Sequence, residues 1–426
     1  MSKVIGHYIN GAIDTSAADR SGEVFNPATG QVTAHVNFAT PSTVDTAVQA
    51  ATRAGREWAA TSLTKRVQVL FAFREILNAG KEEVAALITA EHGKVLSDAL
   101  GEVTRGLEVV EFACGIPQLL KGGYSEGVSN GIDVYSIRQP LGVVGIISPF
   151  NFPAMVPMWF FPIAIATGNA VILKPSEKDP SASMLIAQMW QQAGLPAGVF
   201  NVVHGDKVAV DAILEHPDIQ SISFVGSTPI AQYIYENGTK RGKRVQALGG
   251  AKNHMLVLPD ADLELVADAA VNAGFGSAGE RCMAISVLVA VEPVADAVIE
   301  KITERMRGLR TGDGTQGSDM GPLVTRVHRD KVAGYIDAGV SEGATLVVDG
   351  RNPEVQGSEH GFWLGPTLFD GVQPSMSIYR DEIFGPVLSV VRVKSYEEGV
   401  DLINSHMYGN GTAIFTNDGG AARRFQ

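Results

Sequence analysis

The residues best suited to chemistry lie in one short stretch, residues 276–284, which reads Gly-Ser-Ala-Gly-Glu-Arg-Cys-Met-Ala. Its small residues allow a substrate to approach the sulfur of Cys282. The permanent cation of Arg281 favours the thiolate, which is the attacking form of cysteine. Taken alone, a free cysteine is more often a buried apolar residue. The stretch therefore predicts nucleophilic catalysis only in combination with other signals.

Composition excludes several classes of function. The chain has 426 residues, of which 45% are hydrophobic, so it can form two or three domains with cores of their own. A net charge of -12 argues against a nucleic-acid partner. The two cysteines cannot form a disulfide framework, and no Cys/His spacing indicates a metal site. We find no targeting signal or membrane-spanning run, and we predict a soluble, cytoplasmic protein.

The elements that must position Cys282 change in type along the chain. Residues 6–40 are typical of short strands, and residues 42–113 of three or four amphipathic helices, the last of which carries Arg105. Residues 122–140 predict a hairpin. Strand and helix patterns then alternate from 143 to 225, which favours a parallel sheet covered by helices on both faces. A second α/β unit follows Lys252.

Two junctions after predicted strands could bind a nucleotide. Gly226 and Ser227 open a helix whose N-terminus favours an anion such as a pyrophosphate. Lys174 and Glu177 supply a cation and a carboxylate suited to ribose hydroxyls. Each has a plainer interpretation, since the first is also an ordinary capped turn and the second a surface charge pair. Arg105, considered alone, is typical of a solvated arginine.

Several motifs occur together in one order, and they cover essentially the whole chain. They are Ser-Pro-Phe-Asn-Phe-Pro at 148–153, Lys-Pro-Ser-Glu at 174–177, Phe-Val-Gly-Ser at 224–227, Gly-Glu-Arg-Cys at 279–282 and Glu-Ile-Phe-Gly-Pro at 382–386. This set resembles the NAD(P)-dependent aldehyde dehydrogenase superfamily. Within it, residues 149–155, 250–254 and 281–284 resemble the CoA-acylating methylmalonate-semialdehyde dehydrogenase branch.

The resemblance implies the fold. It implies an α/β protein with a Rossmann-like cofactor domain at 1–121 and 141–248, a β-hairpin oligomerisation arm at 122–140 and an α/β catalytic domain at 249–426. A homodimer or homotetramer is expected. Because the chain stops at Gln426 inside a predicted helix, whereas the family continues with further strands, we expect the catalytic domain to be truncated.

The resemblance also implies catalytic roles. Cys282 would attack the aldehyde carbon, and the side-chain amide of Asn151 with the backbone N–H of Cys282 would stabilise the oxyanion. Arg105 and Arg281 would bind a substrate carboxylate. NAD would be the cofactor and CoA a co-substrate, with no metal. The cofactor-binding residues would be Phe150, Lys174, Glu177, Gly226, Ser227, Glu382 and Phe384.

One position departs from the hydrolytic members of the family. They carry a glutamate 34 residues before the nucleophile, where this chain has Leu248. A leucine cannot be a general base, which fits acyl transfer to CoA, although the acylating branch carries asparagine there. The alternatives are a hydrolytic aldehyde dehydrogenase with another substrate and a catalytically inactive, truncated relative.

Overall fold

The structure is a computed structural model, and it describes residues 3–355 and 358–426. The chain forms two compact units. The first contains the residues up to Phe25, Val32–Glu91 and Ala99–Gly249. The second contains Asn26–Gln31, His92–Asp98 and Gly250–Gln426. The predicted domain boundaries and the role of residues 122–140 as an arm stay predictions.

Residues up to 249 contain twelve strands and nine helices in the described part of the chain. The strands are β1 (Lys3–Ile5), β2 (His7–Ile9), β3 (Ala12–Asp14), β4 (Ser21–Asn26), β5 (Gln31–Asn37), β6 (Tyr124–Ser129), β7 (Ile132–Tyr135), β8 (Val143–Ile147), β9 (Ala170–Lys174), β10 (Phe200–Val202), β11 (Ile219–Val225) and β12 (Arg244–Leu248). The helices are α1 (Pro41–Ala60), α2 (Leu63–Ala79), α3 (Lys81–His92), α4 (Leu96–Cys114), α5 (Ile116–Leu119), α6 (Met155–Ala166), α7 (Ser181–Gln192), α8 (Lys207–Glu215) and α9 (Thr228–Lys240).

The main sheet of the first unit has the strand order β12-β11-β8-β9-β10-β2-β3. Its first five strands are parallel, and β2 and β3 add to one edge in antiparallel fashion. The register pairs Ile147 with Lys174 and with Phe224. The carboxyl ends of β8, β9 and β11 therefore lie side by side. The segments that follow these strands start at the same end of the sheet, which we call its carboxyl edge.

Strands β6 and β7 form a separate antiparallel hairpin, as the sequence predicted for residues 122–140. All of their residues are exposed. The exposed side chains include Val128, Ile132 and Val134. The hairpin thus adds no residue to the buried core of its unit.

The second unit is built on a six-stranded sheet of order β15-β16-β17-β14-β13-β18. Its further elements are β13 (Asn253–Val257), α10 (Leu263–Phe275), β14 (Ile285–Val291), α11 (Ala295–Arg307), α12 (Arg326–Ser341), β15 (Thr345–Val348), β16 (Thr367–Asp370), α13 (Ser377–Arg380), β17 (Val387–Val393), α14 (Tyr396–Ser405), β18 (Thr412–Phe415) and α15 (Gly419–Phe425). All neighbouring strands are parallel except β15 with β16.

The structure contains the helices expected between residues 42 and 113, as α1 to α4, and the alternation of strand and helix expected between 143 and 225. The expectation did not include β13 and β14, which are adjacent interior strands of the second sheet. Every residue of β13, and all but one of β14, is buried. Strands buried on both faces lack the apolar–polar alternation that marks a half-exposed strand, and short apolar runs do not distinguish strand from buried helix.

An aromatic cluster fills the core of the first unit. The rings of Phe73 and Trp190 are stacked with centroids 3.6 Å apart, and Phe161 meets both edge-on. Phe73 and Phe161 are fully buried and Trp190 is nearly so. The cluster joins helices α2, α6 and α7, so α6 and the segment before it are held against the rest of the unit.

We expect Phe73→Ala to lower the free energy of unfolding by about 3–5 kcal/mol, because it opens a cavity beneath a stacked indole. Phe71→Ala, on the same helix, is the matched control, since that side chain is 54% exposed. Urea unfolding followed by circular dichroism measures both. Equal losses from the two variants would show that the cluster does not carry this stability.

Candidate active site

Cys282, the predicted nucleophile, follows a turn with unusual backbone geometry, which we call the nucleophile turn. After α10 ends, Ser277, Ala278 and Gly279 have φ values of 49°, 53° and 71°. Only glycine adopts this left-handed region without a penalty, and each other residue costs about 1–2 kcal/mol. The turn therefore needs contacts from outside itself to be the stable conformation.

Asp98, in the first turn of α4, supplies such contacts. One of its carboxylate oxygens accepts hydrogen bonds from the backbone N–H and the hydroxyl of Ser277, both at 3.0 Å. Its other oxygen lies 2.7 Å from Nη2 of Arg281. Arg281, predicted to bind a substrate carboxylate, is thus already paired with a carboxylate of the chain.

The backbone of Cys282 is fixed by two asparagines. Its carbonyl accepts hydrogen bonds from Nδ2 of Asn253 at 2.8 Å and from Nδ2 of Asn410 at 3.0 Å. Asn253 also donates to the carbonyl of Ala284 and accepts from the N–H of Gly411. Cys282 itself is partly exposed, as a nucleophile must be.

The 382–386 segment packs directly on the nucleophile turn. A Cβ placed on Gly279 would lie 2.3 Å from the carbonyl oxygen of Gly385, so only glycine allows this approach. Cys282, Glu382 and Phe384 line one cleft, together with Ala251. The second unit therefore brings together four predicted site residues, which are Arg281, Cys282, Glu382 and Phe384.

The position of Glu382 depends on two neighbours from the segment before β13. Its carboxylate accepts the N–H of Ala251 at 3.0 Å, and burial raises the pKa of this carboxyl group. The ammonium of Lys252 donates to the carbonyls of Ile378 and Asp381, each at 2.7 Å. Burial lowers the pKa of Lys252 to about 7. Lys252 thus anchors the segment that carries Glu382.

A buried carboxylate supports the other side of the turn. Glu280 is fully buried, and its oxygens lie 3.6 Å from Nε2 of His92 and 3.5 Å from Nε2 of His328. It accepts the N–H of Val324 at 3.3 Å. Nε2 of His328 is also 2.7 Å from the carbonyl oxygen of Phe384, whose φ is 59°. His328 therefore links the turn to the 382–386 segment.

The first unit presents its predicted residues along the carboxyl edge of its sheet. Nζ of Lys174, which is buried, lies 3.3 Å from Oε2 of Glu177. Ser227 is the N-cap of α9 but makes no side-chain capping bond. A Cβ on Gly226 would lie 2.5 Å from the ring of Phe224, which explains the glycine. This edge combines a cation, a carboxylate and a helix N-terminus, which suits a dinucleotide.

The segment after β8 carries Phe150 and Asn151. The amide side chain of Asn151 is buried, and Nζ of Lys178 lies 4.3 Å from the ring centroid of Phe150. Buried Glu102 of α4 accepts the N–H groups of residues 154 and 155, at 2.8 Å and 3.1 Å, and so fixes the start of α6. Arg105 is exposed, with its guanidinium 5.9 Å from the ring of Phe152.

Sequence reasoning missed the residues that hold the site in place. Asp98, Glu102 and Asn253 were given no role. Asn253 stands in a motif that carried the family resemblance, whereas Asp98 and Glu102 look like surface carboxylates of an amphipathic helix.

Within residues 3–355 and 358–426, no cluster of three or more potential metal ligands occurs. None of the described helices is long and apolar enough to cross a membrane.

We expect Gly279→Ala to be more harmful than Gly317→Ala. Both glycines have φ near +70°, but a Cβ at Gly317 would meet nothing within 4 Å, whereas at Gly279 it would strike the Gly385 carbonyl. The extra crowding should cost about 1–3 kcal/mol in unfolding free energy. It should also change the rate at which iodoacetamide alkylates Cys282, followed by peptide mass spectrometry. Identical behaviour of the two variants would contradict the close packing.

The chain is similar to known proteins over nearly its whole length. Residues 14–426 match the model of the aldehyde dehydrogenase family. Malonate-semialdehyde dehydrogenase of Pseudomonas aeruginosa is 57% identical over 98% of this chain and 84% of its own length. Methylmalonate-semialdehyde dehydrogenase of Oceanimonas doudoroffii superposes with a TM-score of 0.98 at 53% identity, covering 100% of this chain and 87% of that one. A Sinorhizobium meliloti protein assigned the same activity, solved with NAD, is 52% identical with the same TM-score and coverage. The chain therefore belongs to the aldehyde dehydrogenase family.

Proposed function

We propose that the chain catalyses the NAD-dependent oxidation of malonate semialdehyde or methylmalonate semialdehyde and transfers the acyl group to CoA. The observation that carries the proposal is the cleft that Cys282 shares with Glu382 and Phe384. A partly exposed thiol on a fixed turn, beside the residues that the family uses to hold nicotinamide, suits oxidation through a thioester. The names of the similar proteins support this substrate class.

The first chemical step is carried by the nucleophile turn. The thiolate of Cys282 attacks the aldehyde carbon, forming a C–S bond while the carbonyl electron pair moves to oxygen. We propose that the N–H of Cys282 and the side-chain amide of Asn151 stabilise this oxyanion. The hydrogen bonds that the Cys282 carbonyl accepts from Asn253 and Asn410 fix the backbone of Cys282. Bound NAD would supply the hydride acceptor, so that loss of hydride from this carbon would leave an acyl thioester on Cys282.

The cofactor would be held at the carboxyl edge of the first sheet. There Lys174 and Glu177 would bind ribose hydroxyls, while the N–H groups at the start of α9, after Gly226 and Ser227, would face the pyrophosphate. Phe150 lies in the segment after the neighbouring strand β8. Glu382 and Phe384 would hold the nicotinamide ribose and ring.

Release of the acyl group distinguishes CoA transfer from hydrolysis. The β-carboxylate of the acyl thioester departs as CO₂, and the electron pair of the broken C–C bond enters an enolate that the oxyanion donors stabilise. The α-carbon of the enolate then takes a proton from water, which gives a simple acyl thioester on Cys282. Leu248, the position of the hydrolytic glutamate, ends β12 with its side chain 41% exposed and carries no base to activate water. CoA brings its own thiol, an intrinsically strong nucleophile. We therefore propose acyl transfer to CoA.

We further propose that the enzyme is cytoplasmic and works as a homodimer or homotetramer. The exposed apolar side chains of the β6–β7 hairpin support assembly through this element, since large exposed apolar patches mark interaction sites. The small-molecule aldehyde and CoA are its expected substrates, with no nucleic-acid or membrane partner.

We expect malonate semialdehyde without CoA to give a burst of about one equivalent of NADH per active site, followed by slow turnover. Added CoA should restore a steady rate, because it removes the acyl group from Cys282. Stopped-flow absorbance at the NADH band measures both phases, and Cys282→Ala should abolish both. Rapid steady turnover to the free acid without CoA would instead favour the hydrolytic alternative.

A second expectation concerns Arg105. Arg105→Leu should raise KM for malonate semialdehyde roughly 10-fold or more, because a guanidinium binds a carboxylate through two charge-assisted hydrogen bonds. Propanal has no carboxylate, so its KM should change little. Arg53→Leu, at an exposed arginine of α1, is the control. Equal losses on both aldehydes would assign Arg105 a structural role.

A further inference from the structure

Arg281 is held in a fixed position by three separate contacts. Its Nη2 pairs with Oδ1 of Asp98 at 2.7 Å, and its Nε donates to the hydroxyl of Ser277 at 3.3 Å. Its guanidinium also lies flat over Gly276, since a Cβ there would be 2.3–2.5 Å from Nη1, Cζ and Nη2. An arginine side chain normally has many rotamers, and these contacts select one of them.

Asp98 connects Arg281 to the turn itself. Its second oxygen accepts from both the N–H and the hydroxyl of Ser277, the first of the three left-handed residues. One carboxylate therefore fixes the backbone before the nucleophile and the side chain adjacent to it. The side chain of Asp98 is 24% exposed and that of Arg281 is 23% exposed, so the pair is partly shielded from water. Such shielding strengthens an ion pair compared with a fully exposed one.

We propose that Asp98 is a positioning residue that presents the Arg281 guanidinium to the carboxylate of the substrate and so sets the preference for acidic aldehydes. Asp98 pairs with Nη2, and the hydroxyl of Ser277 accepts a hydrogen bond from Nε. Because the guanidinium is planar, these two contacts also fix the direction of the Nη1 donor. A substrate carboxylate then meets a donor whose direction is already fixed, and it loses less entropy on binding. The inference rests on the proposed substrate class.

A substitution at Gly276 can distinguish the effect of the Arg281 position from the effect of the stability of the turn. Gly276 has φ -54° and ψ 137°, a conformation that alanine also adopts. Gly276→Ala would push the flexible guanidinium out of its seat and leave the Asp98–Ser277 hydrogen bonds in place. Asp98→Ala would remove both sets of contacts. The two variants therefore share the loss of Arg281 positioning and differ in the stability of the turn.

The control is Asp319→Asn. Asp319 lines the same 460 Å³ cavity as Asp98 and Arg281, but it pairs with Arg310 and makes no contact with the nucleophile turn in the hydrogen bonds and ion pairs of the described residues. It matches Asp98 in residue type, in location and in having an arginine partner. Any effect of a lost carboxylate on the cavity as a whole should appear in this variant too.

The test combines steady-state kinetics with hydrogen–deuterium exchange on the full chain. We expect Asp98→Ala and Gly276→Ala each to raise KM for malonate semialdehyde roughly 10-fold, the usual loss for a charged hydrogen bond, while KM for propanal changes much less. Deuterium uptake in residues 276–284 should rise in Asp98→Ala and stay near wild type in Gly276→Ala. Asp319→Asn should resemble wild type in both measurements.

Other results would overturn the proposal. An equal rise in KM for both aldehydes in Asp98→Ala would show that Asp98 only supports the turn. An unchanged KM in Gly276→Ala would show that the position of the Arg281 guanidinium does not affect substrate binding. If Asp98→Ala does not fold, Asp98→Asn takes its place, because it removes the charge that pairs with Arg281 and keeps an oxygen that can accept the N–H of Ser277. If the wild-type chain does not prefer malonate semialdehyde to propanal, the proposed function is contradicted. The role of Asp98 is tested separately by hydrogen–deuterium exchange, and unchanged deuterium uptake in Asp98→Ala would refute it.

Discussion

The left-handed turn at residues 277–279 is the constraint on which the position of Cys282 depends. Two of its three residues, Ser277 and Ala278, have side chains that disfavour this conformation. Strain of this kind persists only where surrounding structure determines it, and here the compensation comes from the Asp98 carboxylate and the close packing of Gly279 on Gly385. The direction of the chain into Cys282 is a product of those contacts.

The candidate site segments lie at the carboxyl ends of the strands in the first sheet and at the amino ends of the strands in the second sheet. In the first unit, the segments that start at Ser148, Pro175 and Gly226 leave the carboxyl ends of parallel strands, where a doubly wound sheet commonly binds nucleotides. In the second unit, Cys282 and the 382–386 segment enter the amino ends of β14 and β17. Their strands are neighbours in the sheet, and this adjacency places the two motifs together although they are 100 residues apart.

The sequence located the candidate site but not the residues that support it. Cys282, Glu382 and Phe384 were proposed as site residues because their motifs resemble those of a family, and the structure places them in one cleft. The parallel sheet followed from alternating patterns. Asp98 could not be assigned, since its partners Ser277 and Arg281 lie about 180 residues away in the chain and local patterns do not report such pairs. The interior strands β13 and β14 were missed because strands buried on both faces have no alternation.

The attachment of the Glu382 segment has a consequence for proton linkage. Lys252 has a pKa of about 7 in the folded chain because of burial, compared with 10.5 for an ordinary lysine. Between these values the unfolded chain binds the proton and the folded chain does not, so the contribution of Lys252 to stability becomes more favourable as pH rises from 7 to 10.5. A neutral amine still has two N–H bonds, which is the number needed for the carbonyls of Ile378 and Asp381. The segment can therefore stay anchored while the charge beneath it disappears.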